Sequence, residues 1–164
     1  MSVSAKTNQV EADMIAAMVE RIFRQADRFD YSATVGVIVP YRNQIATVRN
    51  AIDRYGIPAL HSITIDTVER FQGSQRDYII YGLTVQQRCQ LNFLTDNVFE
   101  EDGTLIDRKL NVAMTRARKH LTIVGNPDIL AGSAVYRRLM DFMKSRGCYF
   151  NVACEKFCAG DFSV

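Results

Sequence analysis

The chain has 164 residues, of which 48% are hydrophobic and 23% charged, with a net charge of +2 at neutral pH. That length suits one domain with a real core and is too short for two, and so balanced a charge leaves any basic surface local, with Arg108, Lys109, Arg116, Arg118 and Lys119 as the densest cluster. No apolar run approaches the ~20 residues of a membrane span and the N-terminus lacks a signal-peptide core, so an intracellular, cytoplasmic protein without membrane partners is expected.

Residues 1–7 are small and polar and read as a lead-in, residues 8–152 as the domain, and residues 153–164 as a tail without a recognisable pattern. Asn8 and Glu11 have capping-box spacing, and Met14, Ile15, Met18, Val19, Ile22 and Phe23 share one face, so a helix is predicted to about residue 28. The β-branched apolar run 34–39 predicts a strand buried on both sides in a parallel sheet. Pro40 ends it, and Ile45, Val48, Ile52 and Tyr55 predict a helix closing at Gly56. Further strands are expected at 62–66 and 78–83. Residues 85–106 break the periodicity and read as a long loop, either mobile or ordered by a partner, with Leu91, Phe93, Leu94, Val98 and Phe99 as the residues able to pack it down. A helical segment carrying Leu110, Val112, Ala113 and Met114 leads into Arg116, Arg118 and an apolar strand to Gly125. A helical turn at 127–130, a helix after Ser133 with Val135, Leu139, Phe142 and Met143 on one face, and an edge strand at 149–152 complete the reading. Cys89, Cys148, Cys154 and Cys158 lack the paired spacing of a zinc site and read as reduced thiols.

Strands alternating with helices predict an α/β domain with a mainly parallel sheet. In such sheets ligands bind beyond the carboxyl ends of the strands, which places Tyr41 and Arg42, just after the first strand, in a favoured position. Turn packing and a helix-surface charge account for them equally well. The loop Phe71-Gln-Gly-Ser-Gln75 supplies a glycine where backbone can approach a ligand, among side chains able to hydrogen-bond hydroxyls or phosphates. Arg116 and Arg118 sit at a helix-to-strand junction, where a guanidinium can be anchored and still face a cleft.

Taken together, Pro-Tyr-Arg-Asn-Gln at 40–44, Thr-Val-Glu-Arg-Phe-Gln-Gly-Ser-Gln-Arg-Asp at 67–77 and Leu-Asn-Val-Ala-Met-Thr-Arg-Ala-Arg at 110–118 resemble motifs IV, V and VI of the superfamily-one helicases. The resemblance is closest to the Upf-like branch and runs over residues 8–128. It implies a three-layer RecA-like fold, the second of two such domains, with ATP and Mg²⁺ bound between them. It also implies that Arg42 and Arg116 contact the γ-phosphate, that Tyr41 stacks on the adenine, and that Gly73 and Gln75 approach the ribose or phosphates. Arg118 would support Arg116 or bind a backbone phosphate, and Thr67 would lie along single-stranded DNA or RNA. Many members carry glutamate at the position of Gln75, so the hydrogen bonding is kept here and the charge is lost.

The chain has no G-x-x-x-x-G-K-[S/T] phosphate loop and no strand ending in paired acids to hold Mg²⁺, so it cannot assemble a complete ATPase site alone. A missing N-terminal RecA-like domain would supply both. The alternative is a non-catalytic RecA-like module that binds nucleic acid or a protein partner.

Overall fold

The computed structural model describes residues 6–71 and 74–160. The apolar run Val35–Val39 forms β1, buried at every residue, because it has a parallel neighbour on each side. These are β2 (Thr64–Thr67) and β3 (Arg76–Gly82); β6 (Ala117–Val124) pairs with the far side of β3, giving a four-stranded parallel sheet in the order β2-β1-β3-β6. The chain leaves β1 towards β2 and then returns to the other side of β1, so the strand order switches between β1 and β3.

Period-two alternation sends side chains to both faces. Val35, Val37, Val39 and Ile80 join one core with Ala12, Ile15, Ala16 and Val19 of α1 (Gln9–Gln25) and Val48, Ala51 and Ile52 of α2 (Arg42–Asp53). Ile38, Ile79 and Tyr81 join the other with residues of α3 (Arg88–Leu94), α4 (Arg108–Arg116), α5 (Pro127–Leu130) and α6 (Ala134–Ser145). This is the expected three-layer α/β arrangement. Gly36 faces the second core, where a Cβ would stand 2.5 Å from Cζ of Phe71, so the ring lies against the bare backbone of β1.

Several expectations are corrected. Residues 85–106 are not a structureless loop: they form α3 and an antiparallel hairpin, β4 (Val98–Glu101) and β5 (Thr104–Asp107). Leu91 and Leu94 are buried in the second core, which orders the segment without a partner. No strand forms at 149–152. Met114 and Phe142, expected on apolar faces, are exposed by 52% and 54%, since α4 buries only Lys109, Leu110 and Ala113 and α6 only Tyr136. In the region read as a patternless tail, α7 (Cys154–Cys158) packs beside α1, with Arg21 over the Phe157 ring at 5.0 Å. All four cysteines are free.

The first helix stops at Gln25. Asn8 caps it by accepting the Glu11 N–H at 3.1 Å, but the expected box does not close. Asn8 donates its own N–H to Gln44 Oε1 at 2.8 Å and receives Gln44 Nε2 on its carbonyl at 2.9 Å, a reciprocal clasp between α1 and α2. Glu11 instead turns inward and accepts the N–H of Thr84 at 2.6 Å, at the carboxyl end of β3.

Candidate functional site

The two ends of the parallel sheet carry different residues. At the carboxyl end, Val39 of β1 lies in register with Thr67 of β2, so the segments following these strands share one rim. Tyr41 is the N-cap of α2 and Arg42 its first residue. Arg42 is exposed, whereas Tyr41 is 9% exposed and stacks on Phe93 of α3, with ring centroids 4.8 Å apart and planes 20° from parallel. Tyr41 is therefore spent on an internal stack and is not an open platform for a base. Thr67 is 5% exposed, and its carbonyl accepts the N–H groups of Arg70 and Phe71, turning the chain back beneath the sheet.

The amino end carries the other candidates. Gln75 donates its side-chain N–H to the Thr115 carbonyl at 3.1 Å, joining the start of β3 to the last turn of α4. Arg118 Nη2 reaches the carbonyls of Ala33 and Gln75 at 3.3 and 3.4 Å, and its Nε lies 3.3 Å from Asp77 Oδ1. Lys119 takes the other oxygen of Asp77 at 2.8 Å, and that bond raises the lysine pKa. Arg118 thus binds the strand ends together. Gly73 lies outside the described residues.

Arg116 ends α4, half-buried, and its Nε is buried without a hydrogen bond among the described residues. It lines an open groove of about 450 Å³ together with Val68, Glu69, Arg108, Lys109 and Val112. Residues at positions 108, 109, 112 and 116 share one face of a helix, so α4 forms one wall of the groove, with the Arg108 guanidinium standing 4.8 Å over the Phe99 ring. The groove therefore sets two guanidinium groups against one carboxylate, Glu69. An anionic oxygen fits there, because a guanidinium with a buried, unpaired N–H gains a charge-assisted bond on contact. Among the described residues no three His, Cys, Asp or Glu side chains cluster to hold a metal ion.

The structure brings Gln75 and Arg118 together at the amino end and sets Tyr41, Arg42 and Thr67 at the carboxyl end, while the groove of Arg116 opens onto Val68 and Glu69, which directly follow Thr67. Arg42 lies beyond the carboxyl end of β1, while Arg116 precedes the start of β6, which is level with Arg76 at the amino end of β3. At ~3.3 Å per residue the five residues of β1 alone separate them by about 16 Å along the strands. Their backbone positions therefore lie towards opposite ends of the sheet, with the Arg116 side chain lining a groove that includes Val68 and Glu69 beyond the end of β2. The basic cluster read from sequence is likewise divided: Lys109 is only 5% exposed, whereas Arg118 and Lys119 are held by Asp77. Glu69 and Arg108 escaped the sequence reading as groove residues, although Glu69 stands two positions after Thr67 in a segment that had already been singled out.

Residues 2–128 match the AAA domain family. The chain is 33% identical over 141 residues to Helicase sen1 of Schizosaccharomyces pombe, a match covering 85% of this chain and 8% of that protein. It is 32% identical over 145 residues to a Regulator of nonsense transcripts 1 homolog of Drosophila melanogaster, covering 85% and 11%. It is 28% identical over 145 residues to the ATP-dependent helicase NAM7 of Saccharomyces cerevisiae, covering 86% and 14%. Each match thus spans less than a fifth of the relative's length. With three motif segments set on the rims of a parallel sheet and relatives of this kind along most of its length, the chain belongs to the superfamily-one helicases, in their Upf-like branch.

Proposed function

We propose that this chain is the second motor domain of an ATP-dependent helicase, completing a nucleotide site whose phosphate loop and Mg²⁺ ligands lie on a separate RecA-like domain. The observation that carries this reading is Arg116, held at the end of a packed helix with a buried Nε that has no partner among the described residues. Bound ATP would supply the transferable phosphoryl group. Arg116 would donate to its γ-phosphate oxygens and Arg108 would add charge along the same groove. Gln75 fixes the last turn of α4 through the Thr115 carbonyl, and Arg118 braces the strands beneath it. Arginines gain phosphate partners only when the two domains close, so closure follows nucleotide binding and release follows hydrolysis.

The carboxyl rim, with Arg42 exposed, suits contact with the backbone of single-stranded DNA or RNA. Arg42 is read here on the nucleic acid, whereas the motif resemblance implies the γ-phosphate. A binding module without turnover is the second reading, favoured by one observation: Tyr41 and Gln75, both expected on the nucleotide, are committed to contacts within the domain.

The test is ATP hydrolysis by the full-length gene product, with and without single-stranded DNA and RNA, beside its Arg116→Ala variant. Strand-stimulated hydrolysis that falls by roughly a thousand-fold in the variant is expected, the scale of an arginine acting on a transferring phosphoryl group. Equal rates in the two proteins would remove Arg116 from the site, and a well-folded protein without hydrolysis would favour the binding module.

A further inference from the structure

We propose that Phe93 is a positioning residue that ties Arg116 to the rim bearing Arg42, so that a nucleic-acid strand held at that rim sets the arginine in its groove. The proposal rests on reading Arg116 as the γ-phosphate arginine. It starts from an unusual placement. Phe93 is 44% exposed and so contributes little to the core, yet its ring is engaged on two sides. Tyr41 stacks on it at 4.8 Å, and the Lys109 ammonium stands 4.2 Å from its centroid.

Lys109 is the second part of the joint. A lysine 5% exposed pays a desolvation cost that only good partners offset, and its partners here come from α3 and the turn after it. Its Nζ donates to the Phe93 carbonyl at 2.8 Å, pairs with Asp96 Oδ1 at 2.9 Å, and faces the Phe93 ring. The first turn of α4 is therefore locked to α3, and α3 is locked through the ring stack to Tyr41. Tyr41 is the N-cap of α2 and immediately precedes the exposed Arg42.

The third part is α4 itself. Lys109 and Arg116 lie seven residues apart on one helix and line the same groove. Seven residues are two turns, about 10 Å of a stiff rod, so a displacement imposed at Lys109 reaches Arg116 without passing through a loop. A strand drawn against Arg42 moves the cap at Tyr41, the stack moves Phe93, and Lys109 carries the movement into α4. By linkage the coupling runs both ways, with an anion on Arg116 biasing the rim at Arg42. Removing the Phe93 ring cuts the joint at its most exposed point, and Lys109 loses the ring but keeps its bonds to the Phe93 carbonyl and Asp96.

The experiment uses the full-length gene product as wild type, Phe93→Ala, Phe93→Tyr and Arg116→Ala. It measures ATP hydrolysis with and without a single-stranded oligonucleotide, oligonucleotide affinity by fluorescence anisotropy, and hydrogen exchange of the α4 amides. Phe93→Ala is expected to keep its unstimulated rate and its oligonucleotide affinity and to lose about ten-fold of the stimulation, within the usual range of coupling between sites. The strand-dependent change in α4 exchange vanishes with it, and Phe93→Tyr, which keeps the stack, restores both. Full stimulation in Phe93→Ala overturns the proposal. So does a parallel loss of affinity, which would make Phe93 a contact residue. Absent stimulation in the wild type, or stimulation that survives Arg116→Ala, overturns the reading of Arg116 and this proposal with it. Those outcomes appear in proteins with Phe93 intact, which separates the two failures.

Discussion

Glu11 shows how much one side chain can be asked to do. It sits at the third position of a helix whose cap it was expected to close, and it is instead buried against the end of β3. Burial pushes its carboxyl up to about 8 from 4.5, with the Thr84 N–H pulling the other way. Oε1 has no hydrogen-bond partner among the described residues, and Thr84 is held at φ 62, a left-handed conformation that a β-branched residue rarely adopts. Because the folded pKa is the higher one, this contribution to stability is fully present below about 4.5. It declines as pH rises to about 8, by up to about 1.4 kcal/mol per pH unit, and is level above that. Glu11→Gln should flatten this slope, read as thermal midpoints measured between pH 5 and pH 8. A variant that kept the wild-type slope would mean that some other group is responsible.

At the scale of the element, close packing between a strand and a turning segment decides the second core. The chain after β2 must fold under the sheet, and Phe71, 2% exposed, fills the space left by the absent side chain of Gly36. Gly36→Ala places a methyl group where the ring already stands, and overpacking of this kind costs about 1–3 kcal/mol. Chemical denaturation should show the loss, and adding Phe71→Leu should recover part of it. Absence of recovery would mean that Gly36 serves the backbone rather than the ring. The β4–β5 hairpin carries a related lesson. Asp102 and Gly103 both have positive φ, 49 and 74, as a two-residue Asp-Gly hairpin turn requires. That dipeptide is itself a hairpin signal, but its acidic neighbours Glu100 and Glu101 obscured it and the segment read as loop. The alternating strands and helices were legible because long apolar runs and helical spacing are local properties. The absence of a strand at 149–152 was not, since a short edge strand exists only if a neighbour pairs with it.

For the whole molecule, the motif segments are set towards both ends of one sheet. If the nucleotide site is completed by a second domain, the isolated chain should hydrolyse ATP no faster than buffer while remaining folded by circular dichroism. Any binding of single strands should weaken steeply with salt, as backbone contacts do. Robust turnover by pure isolated chain would refute the shared site.

The sequence by itself determined the α/β alternation, the two apolar faces of the sheet and the three motif segments that mark the family, because each is written in residues close together in the chain. Tertiary structure alone decided which motif residues share a rim. Strand order and register are long-range, and only they place Arg42 and Arg116 at opposite ends. It also decided which cations are available. Lys109 and Arg116 read alike as members of a basic run, but the buried lysine is committed to Phe93 and Asp96, while the buried Nε of Arg116 has no hydrogen bond among the described residues. A charge has a sign in the sequence and acquires neighbours only in the fold.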